Sequence, residues 1–379
     1  MRVEDLDYQL PEDRLATHPA DPRDSARLMV VDRSGARPPE DRVVRDLPDI
    51  LRPGDVMVFN ATRVIRARLA GVRADTGGAV EGLYLAEEAA APGGCARWRV
   101  MLRGRRMKPG VEVALRGRDG STCGVSLWLE TPIADEPGAW VCAVRGPGGD
   151  LPAESLLERF GQTPLPPYIV KARSRRHDAG DDEDDRARYQ TTYARPDAPG
   201  SVAAPTAGLH FTPELLARLD RRGVERHEVV LHVGTGTFRP VETERVEDHP
   251  MHSERCWAPA GVIDAVRRAR AEGRRVFAVG TTTARTLESV AGALEDGSAA
   301  PGPGGVTLDT RLLITPGYRW RWVDGLLTNF HLPRSTLLAM VGSMAPDGVE
   351  GLKSLYARAI AGGYRFYSYG DAMLLEPAG

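Results

Sequence analysis

Residues 204 to 241 read APTAGLHFTPELLARLDRRGVERHEVVLHVGTGTFRPV. Thr212-Pro213-Glu214 opens a helix: a hydroxyl caps an orphan amide, proline has no amide to lose at the first helical position, and an acid suits the helix dipole. Leu215, Leu216 and Leu219 form its apolar face, and Gly223 supplies the residue that closes it. Val229-Val230-Leu231 then reads as a buried strand running into His232-Val233-Gly234-Thr235-Gly236-Thr237. Helix, glycine, strand is a unit of α/β organisation. His210 and His232 flank the helix, and the glycines beside them (Gly208, Gly234, Gly236) would let a ligand approach the backbone closely. A histidine satisfied within the fold is the plainer reading of each one singly. Two such places around one helix set the chemical reading level with it.

The alternation continues outward, with a helix over Gly261 to Glu272, a strand over Val276 to Val279 and a helix over Thr282 to Leu294. Upstream, Leu28 to Val31 and, after the Pro53-Gly54 turn, Val56 to Phe59 read as strands. Between about 64 and 150 the character changes. Short β-like runs (Val80 to Leu85, Trp98 to Leu102, Val111 to Leu115, Val125 to Leu129, Trp140 to Val144) recur between glycine- and proline-rich turns, as in a small barrel or sandwich. Leu156 to Phe160 reads as a short helix, Pro164 to Tyr168 as a rigid segment, and the charged stretch 173 to 188 as a mobile, solvated loop. Residues 296 to 305 form a low-complexity loop.

The 379 residues exceed one typical domain, and 42% hydrophobic content suffices for a sizeable core. Fifty basic against fifty-two acidic residues leave a net charge of −2, so contact with nucleic acid would have to be local. Cys95, Cys123, Cys142 and Cys256 show neither disulfide-framework nor zinc-ribbon spacing. The N-terminal stretch lacks the apolar core of a signal peptide and no apolar run is long enough to span a bilayer, so a cytoplasmic protein without membrane contact is expected.

Val276 to Arg285 is a strand, a glycine turn and a hydroxyl-rich helix start, lying where ligands dock in α/β sheets. It is neither a P-loop nor a dinucleotide fingerprint, and a well-capped helix with nothing bound is an equal alternative. Arg285 and Glu288 are spaced as a surface pair. His249-Pro250-Met251-His252 has no matching third ligand, so no metal is expected, and His252 or Glu254 suits a general base or polar contact better. Thr328 to Thr336 gathers polar groups, with Ser335 as a helix cap. Tyr364 to Asp371 alternates like a half-buried strand whose tyrosines could stack on bases. Basic clusters at Arg97, Arg99, Arg103, Arg105, Arg106 and Lys108, and from Lys171 through Arg173 to Arg176, are either solvated faces or a phosphate-tracking patch.

Taken together, these segments resemble the S-adenosylmethionine:tRNA ribosyltransferase-isomerases of queuosine biosynthesis. The resemblance runs through Leu10 to Leu28, Pro53 to Leu69, Pro164 to Tyr168, Arg188 to Thr191, Pro205 to Phe211 and His232 to Val241. It continues through His249 to Glu254, Ala278 to Ser289, Pro316 to Tyr318, Thr328 to Leu338 and Tyr364 to Met373. It implies an α/β domain with a mixed or barrel-like sheet over residues 1–63 and 151–379, carrying an all-β barrel domain over 64–150. It also implies the reaction: ribosyl transfer from S-adenosylmethionine to 7-aminomethyl-7-deazaguanine at the tRNA wobble position, giving epoxyqueuosine-tRNA, adenine and methionine. The donor is consumed, and its sulfonium activates it without metal or other cofactor. His210, His232 and His331 then become candidates for proton transfer, with Glu254 and Asp371 as carboxylate partners. Gly208, Gly234, Gly236, Thr237, Asn329 and Tyr369 are candidate substrate contacts. Thr281, Thr282 and Arg285 are candidates for the methionine carboxylate or the ribose. Arg103, Arg105, Arg106, Lys108, Lys171 and Arg173 would face RNA, and a monomer is expected. Two departures from the family's usual pattern are Ala61, where Asp is usual, and Gly342 to Pro346 after the Leu337-Leu338 run. Transfer to a free deazapurine or other small amine, and a non-catalytic RNA-binding relative, stay open as alternatives.

Overall fold

The computed structural model describes residues 1–89, 95–134, 136–147, 151–178, 180–234 and 241–377. The first strands are β1 (Arg27–Asp32), β2 (Glu40–Val43), β3 (Val56–Asn60) and β4 (Arg63–Val64). Next come β5 (Arg68–Arg73), β6 (Ala79–Glu88), β7 (Arg97–Arg103), β8 (Glu112–Arg116), β9 (Thr122–Pro132) and β10 (Ala139–Arg145). The remaining strands are β11 (Pro199–Ser201), β12 (Glu225–Leu231), β13 (Glu254–Ala258), β14 (Val276–Val279), β15 (Val306–Thr310), β16 (Gly325–Asn329) and β17 (Ala372–Glu376). The helices are α1 (Leu47–Ile50), α2 (Ala153–Phe160), α3 (Pro167–Arg175), α4 (Asp182–Arg188) and α5 (Pro213–Arg222), then α6 (Ala260–Ala271), α7 (Thr281–Glu295), α8 (Thr336–Gly342) and α9 (Gly348–Ala361).

Strands β3, β14, β16 and β17 are buried along their whole length. Continuous apolar runs of this kind suit a sheet covered on both faces. They sit in a nine-stranded sheet of order β15-β13-β12-β3-β14-β16-β17-β1-β2. Strands β12, β3, β14 and β16 run parallel, while β17 opposes β16 and runs parallel to β1. Alternate residues of β3 feed two cores. Val56 and Val58 pack with Ala284, Leu287 and Val290 of α7 and with Val262 and Val266 of α6. Met57 and Phe59 pack on the other face with Leu215, Leu216 and Leu219 of α5. Helix α5 has the expected ends: Thr212 Oγ1 accepts from the Leu215 amide at 3.1 Å, and Gly223 adopts φ +82°.

Six antiparallel strands close into a barrel of order β10-β7-β6-β5-β8-β9. Trp98, Val100 and Leu102 of β7 point inward between half-exposed neighbours, and Leu156, Leu157 and Phe160 of α2 join the same core. Strand β5 has no counterpart among the expected runs, because its buried face is Leu69, Gly71 and Arg73, a pattern with only one large apolar residue. Gly71 is required by close packing: a Cβ there would lie 2.8 Å from the Ala114 carbonyl oxygen. Arg68 and Gln162 bridge the chain's entry to and departure from the barrel.

The charged stretch 173–188 is not a solvated loop over its described residues. Helices α3 and α4 include most of it, and Arg173 makes a buried two-pronged pair with Asp185 at 2.6 and 2.8 Å. Arg66, also buried, reaches Asp182 at 2.9 Å and Glu183 at 2.7 Å. Charges of opposite sign neutralise one another where a lone run would remain solvated. Nor does 364–371 form a strand. Tyr367 has φ +72°, the Gly370 amide bonds to the Tyr367 carbonyl, and only from Ala372 does the chain enter β17. Tyr364, Tyr367 and Tyr369 are all buried, so none stands on the surface as a platform for stacking bases.

Asn60 ends β3 with a fully buried amide. Its Oδ1 accepts from the Leu231 and Thr62 amides at 3.0 and 3.2 Å. Its Nδ2 donates to the Leu231 carbonyl and to Thr282 Oγ1 at 3.0 and 3.2 Å. Replacing it strands several buried polar groups, each of which costs about 1–3 kcal/mol. Asn60→Ala is therefore expected to lower unfolding stability by roughly 2–4 kcal/mol. Chemical denaturation would show this as a midpoint moved to lower denaturant with an unchanged slope.

Candidate active site

Because β12, β3, β14 and β16 are parallel, their carboxyl ends open on one edge of the sheet, where open α/β sheets bind ligands. Each strand delivers a polar segment there: Thr62 after β3, His232 to Gly234 after β12, Gly280 to Thr282 after β14, and His331 after β16. The turn before β17 reaches the same edge, since Asn329 pairs with Ala372. A cleft of about 660 Å³, counted with its open mouth, is lined by Ala204 to Ala207, Val233, Gly280 to Thr282, Thr328 to Leu332, Ser335, Leu337, Tyr168, Tyr367 and Ser368.

Gly280, at φ +88°, turns the chain from β14 into α7 and offers no side chain to cap it. The helix start therefore faces the cleft with Thr281 and Thr282. Further in, Thr283 Oγ1 turns back onto the Val279 carbonyl at 2.7 Å. Ser335 caps α8 through a 3.2 Å bond from the Leu338 amide, as its position suggested.

His331 is the cleft's imidazole. It lies in the connection between β16 and α8, without a sheet ladder to take its backbone groups. Two tyrosines do so instead: Tyr8 donates to its carbonyl at 2.5 Å, and its amide donates to Tyr356 at 2.9 Å. Its Nε2 lies 2.6 Å from Thr328 Oγ1. Burial lowers the imidazole to about 4, so it is neutral near pH 7 with one nitrogen free to accept a proton. His210 stands behind the wall, 3.4 Å from the Asn329 amide. Burial, helped by the charges of Arg365 and Arg23, lowers it to about 4 as well. His232 lies beside the cleft, with Nδ1 2.9 Å from Thr62 Oγ1 and its ring against Gly200. Burial and Arg255 lower its affinity for a proton.

On the far side of Leu337 is a second pocket, lined by His249, Met251, His252, Glu254, Arg285, Leu312 to Ile314, Thr336, Leu337 and Met340. Arg285 and Glu254 form a buried ion pair there, and Glu254 Oε1 also accepts the Gly234 amide at 3.1 Å. Arg285 and Glu288 are thus not a surface pair. Glu288 faces away and binds the amides of Arg321, Trp322 and Val323 at 2.8 to 2.9 Å. No group of three or more His, Cys, Asp or Glu side chains among the described residues is arranged to hold a metal.

Of the residues singled out in the sequence, the first cleft gathers Thr281, Thr282, Asn329 and His331, and the second gathers Glu254 and Arg285. Asp371 joins neither, because its two oxygens hold the Arg27 and Arg365 amides at 3.0 and 2.8 Å. Tyr369 is buried edge-on against Tyr189, away from both. Gly208 owes its missing side chain to packing: a Cβ there would lie 1.9 Å from the Tyr193 hydroxyl oxygen. Among the described residues, nothing lies within contact of a Cβ placed on Gly234. Gly236 and Thr237 lie outside the described residues. Tyr168, Thr328, Tyr367 and Leu337 went unnoticed as site residues, although all four fall within segments the resemblance covers. On the barrel, Arg103, Arg105, Arg106 and Lys108 stand exposed in and beside the β7–β8 turn, whereas Arg97 and Arg99 are tied to Glu130 and Glu88. Lys171 is exposed, but Arg173, buried with Asp185, is withheld from any RNA contact. No helix among the described residues is long and apolar enough to cross a membrane.

Comparison with known proteins gives the geometry a family. The family model described as queuosine biosynthesis protein matches residues 3–375. The S-adenosylmethionine:tRNA ribosyltransferase-isomerase of Caulobacter vibrioides is 49% identical over 381 residues, covering 99% of this chain and 98% of that one. The same-named protein of Erythrobacter litoralis is 48% identical over 380 residues, covering 100% and 99%. Among solved structures, the S-adenosylmethionine tRNA ribosyltransferase of Thermotoga maritima aligns over 98% of this chain and 99% of its own, with 31% identity and a TM-score of 0.51. With its mixed sheet, inserted barrel and whole-length similarity, the chain belongs to the queuosine biosynthesis protein family.

Proposed function

We propose that this chain transfers and isomerises the ribosyl moiety of S-adenosylmethionine onto tRNA in queuosine synthesis. The whole-length similarity to enzymes named for that activity carries the reading. The acceptor in this proposal is 7-aminomethyl-7-deazaguanine at the wobble position. The product is epoxyqueuosine-tRNA, with adenine and methionine released. We assign the chemistry to residues 1–63 and 151–379, with 64–150 as an inserted β domain, and take the working unit to be a cytoplasmic monomer.

The site chemistry supports a proton-shuttling role for His331. A sulfonium acidifies the neighbouring ribose C5′ protons, so a neutral imidazole is a sufficient base. His331 is neutral, desolvated and held through Nε2 by the Thr328 hydroxyl, which orients the ring. Once protonated, an imidazole with so low a proton affinity is a strong acid. It then returns the proton to the departing adenine. Because the donor is already activated, the reading calls on no metal or organic cofactor. The barrel's Arg103, Arg105, Arg106 and Lys108, with Lys171, are proposed to follow the RNA backbone.

The decisive measurement incubates purified protein with S-adenosylmethionine and an anticodon stem-loop carrying the deazapurine. Mass spectrometry should find the ribosyl-derived mass gain together with released adenine, and no gain with folded protein would overturn the proposal. His331→Ala should reduce turnover about 100-fold or more with little change in secondary structure by circular dichroism. Reversing the charge of Arg103, Arg105, Arg106 and Lys108 together should weaken stem-loop binding. It should also flatten the dependence of log affinity on log salt by up to about 4, read in a filter-binding titration.

A pH prediction follows from the buried imidazoles. Folded His331 binds its proton near pH 4, against 6.5 for the ordinary group. As pH falls below 6.5 the unfolded chain takes up protons first, so stability is intact above that value and is lost towards pH 4. His331→Gln should make this loss shallower by as much as one proton, about 1.4 kcal/mol per pH unit, in denaturation measured across that window.

A further inference from the structure

The second pocket contains a donor with no acceptor among the described residues. Arg285 is 5% exposed. Its Nη1 is paired with Glu254 and its Nε donates to the Leu312 carbonyl at 3.1 Å, but its buried Nη2 has no partner among the described residues. Glu254 shows no matching deficit, because its other oxygen already takes the Gly234 amide. What the pocket lacks is therefore an acceptor, and an anionic one satisfies a guanidinium best. A buried donor left unmet is unfavourable, and a bound anion would satisfy it.

The surroundings narrow the ligand. Met251, Ile314, Leu337 and Met340 make an apolar wall beside the guanidinium, suited to an aliphatic chain that carries its charge at one end. His249 lines the same pocket, and burial together with His252 keeps it from taking up a proton readily, which leaves Arg285 as the standing positive charge. Leu337 lines both pockets, so the cleft of His331 and the pocket of Arg285 lie on either side of one side chain. We infer that Arg285 Nη2 receives the α-carboxylate of S-adenosylmethionine, with the methionyl chain passing Leu337 and the ribosyl part beside His331. This rests on the proposed function and assigns the amino-acid end of its donor. A phosphate of the RNA backbone shares the anionic chemistry, but the apolar wall favours the amino-acid head.

The test compares S-adenosylmethionine with decarboxylated S-adenosylmethionine, which lacks only the carboxylate, by calorimetry on the full chain. The wild-type protein should prefer the carboxylated ligand by about 10- to 100-fold. Arg285→Gln should reduce that preference to within about threefold while leaving affinity for the decarboxylated ligand nearly unchanged. If Arg285→Gln fails to fold, Arg285→Lys keeps a charge beside Glu254 without the fork, and its preference should still fall at least about fivefold. An undiminished preference in either folded variant overturns the inference, as does equal wild-type affinity for the two ligands. Loss of stem-loop binding in Arg285→Gln with the ligand preference intact would assign the arginine to a phosphate and overturn it too. Wild-type protein that binds neither ligand would instead remove the proposed function itself.

Discussion

The amide of Asn60 is the joint on which the site's geometry depends. It lies where β3 ends, with both hydrogen-bonding groups of Leu231 on one side and the first turn of α7 on another. Few side chains can donate twice and accept twice over so short a reach. A carboxylate there has no donors, and an aliphatic group strands its neighbours. With Asn60 in place, Thr62 follows in register to meet His232, and Thr282 is held so that Thr281 faces the cleft. The family's usual acid next door is here Ala61, fully buried, with its amide on the Val229 carbonyl. The joint does not need a charge at that position.

Around this joint the electrostatic design is economical. Imidazoles at the sheet's edge are stripped of water and left neutral, while the permanent charges are kept one compartment away in the Arg285–Glu254 pair. In the proposed reaction a base near a sulfonium gains from being uncharged, since a protonated imidazole would repel that cation. An arginine further off can be charged without that conflict. Leu337, an apolar residue at the start of α8, separates the two environments and belongs to both.

Much of this was legible where the signal is local. The caps of α5 and α8 are written in two or three adjacent residues, and Trp98, Val100 and Leu102 announce a barrel strand by alternation alone. Legibility fails where the cause lies far along the chain. Nothing around Arg173 says that Asp185 will neutralise it, so the charged stretch reads as a mobile loop when it is helical and tied down. Gly208 looks like a ligand's approach and is explained by Tyr193. The Tyr364 to Asp371 stretch alternates like a strand, but Asp371 binds two backbone amides and Tyr367 takes a left-handed turn, neither of which the pattern reveals. The resemblance pointed to the segments that line the cleft, but only the fold shows that His331 lines it while His210 stands behind its wall.

The pairing of β1 with β17 has a consequence for how the chain comes to be made. Asp371 holds the Arg27 amide across 344 residues of sequence, and β17 lies inside the sheet between β16 and β1 rather than at its edge. On a ribosome, β1 can pair with β2 at once but must wait for nearly the whole chain before its inner neighbour exists. The barrel strands are contiguous from Arg68 to Arg145 and can close much earlier. For most of synthesis the cell would then hold a finished barrel beside an unfinished sheet with exposed apolar strands. That asymmetry makes the window before β17 emerges the time when a chaperone matters most to this chain.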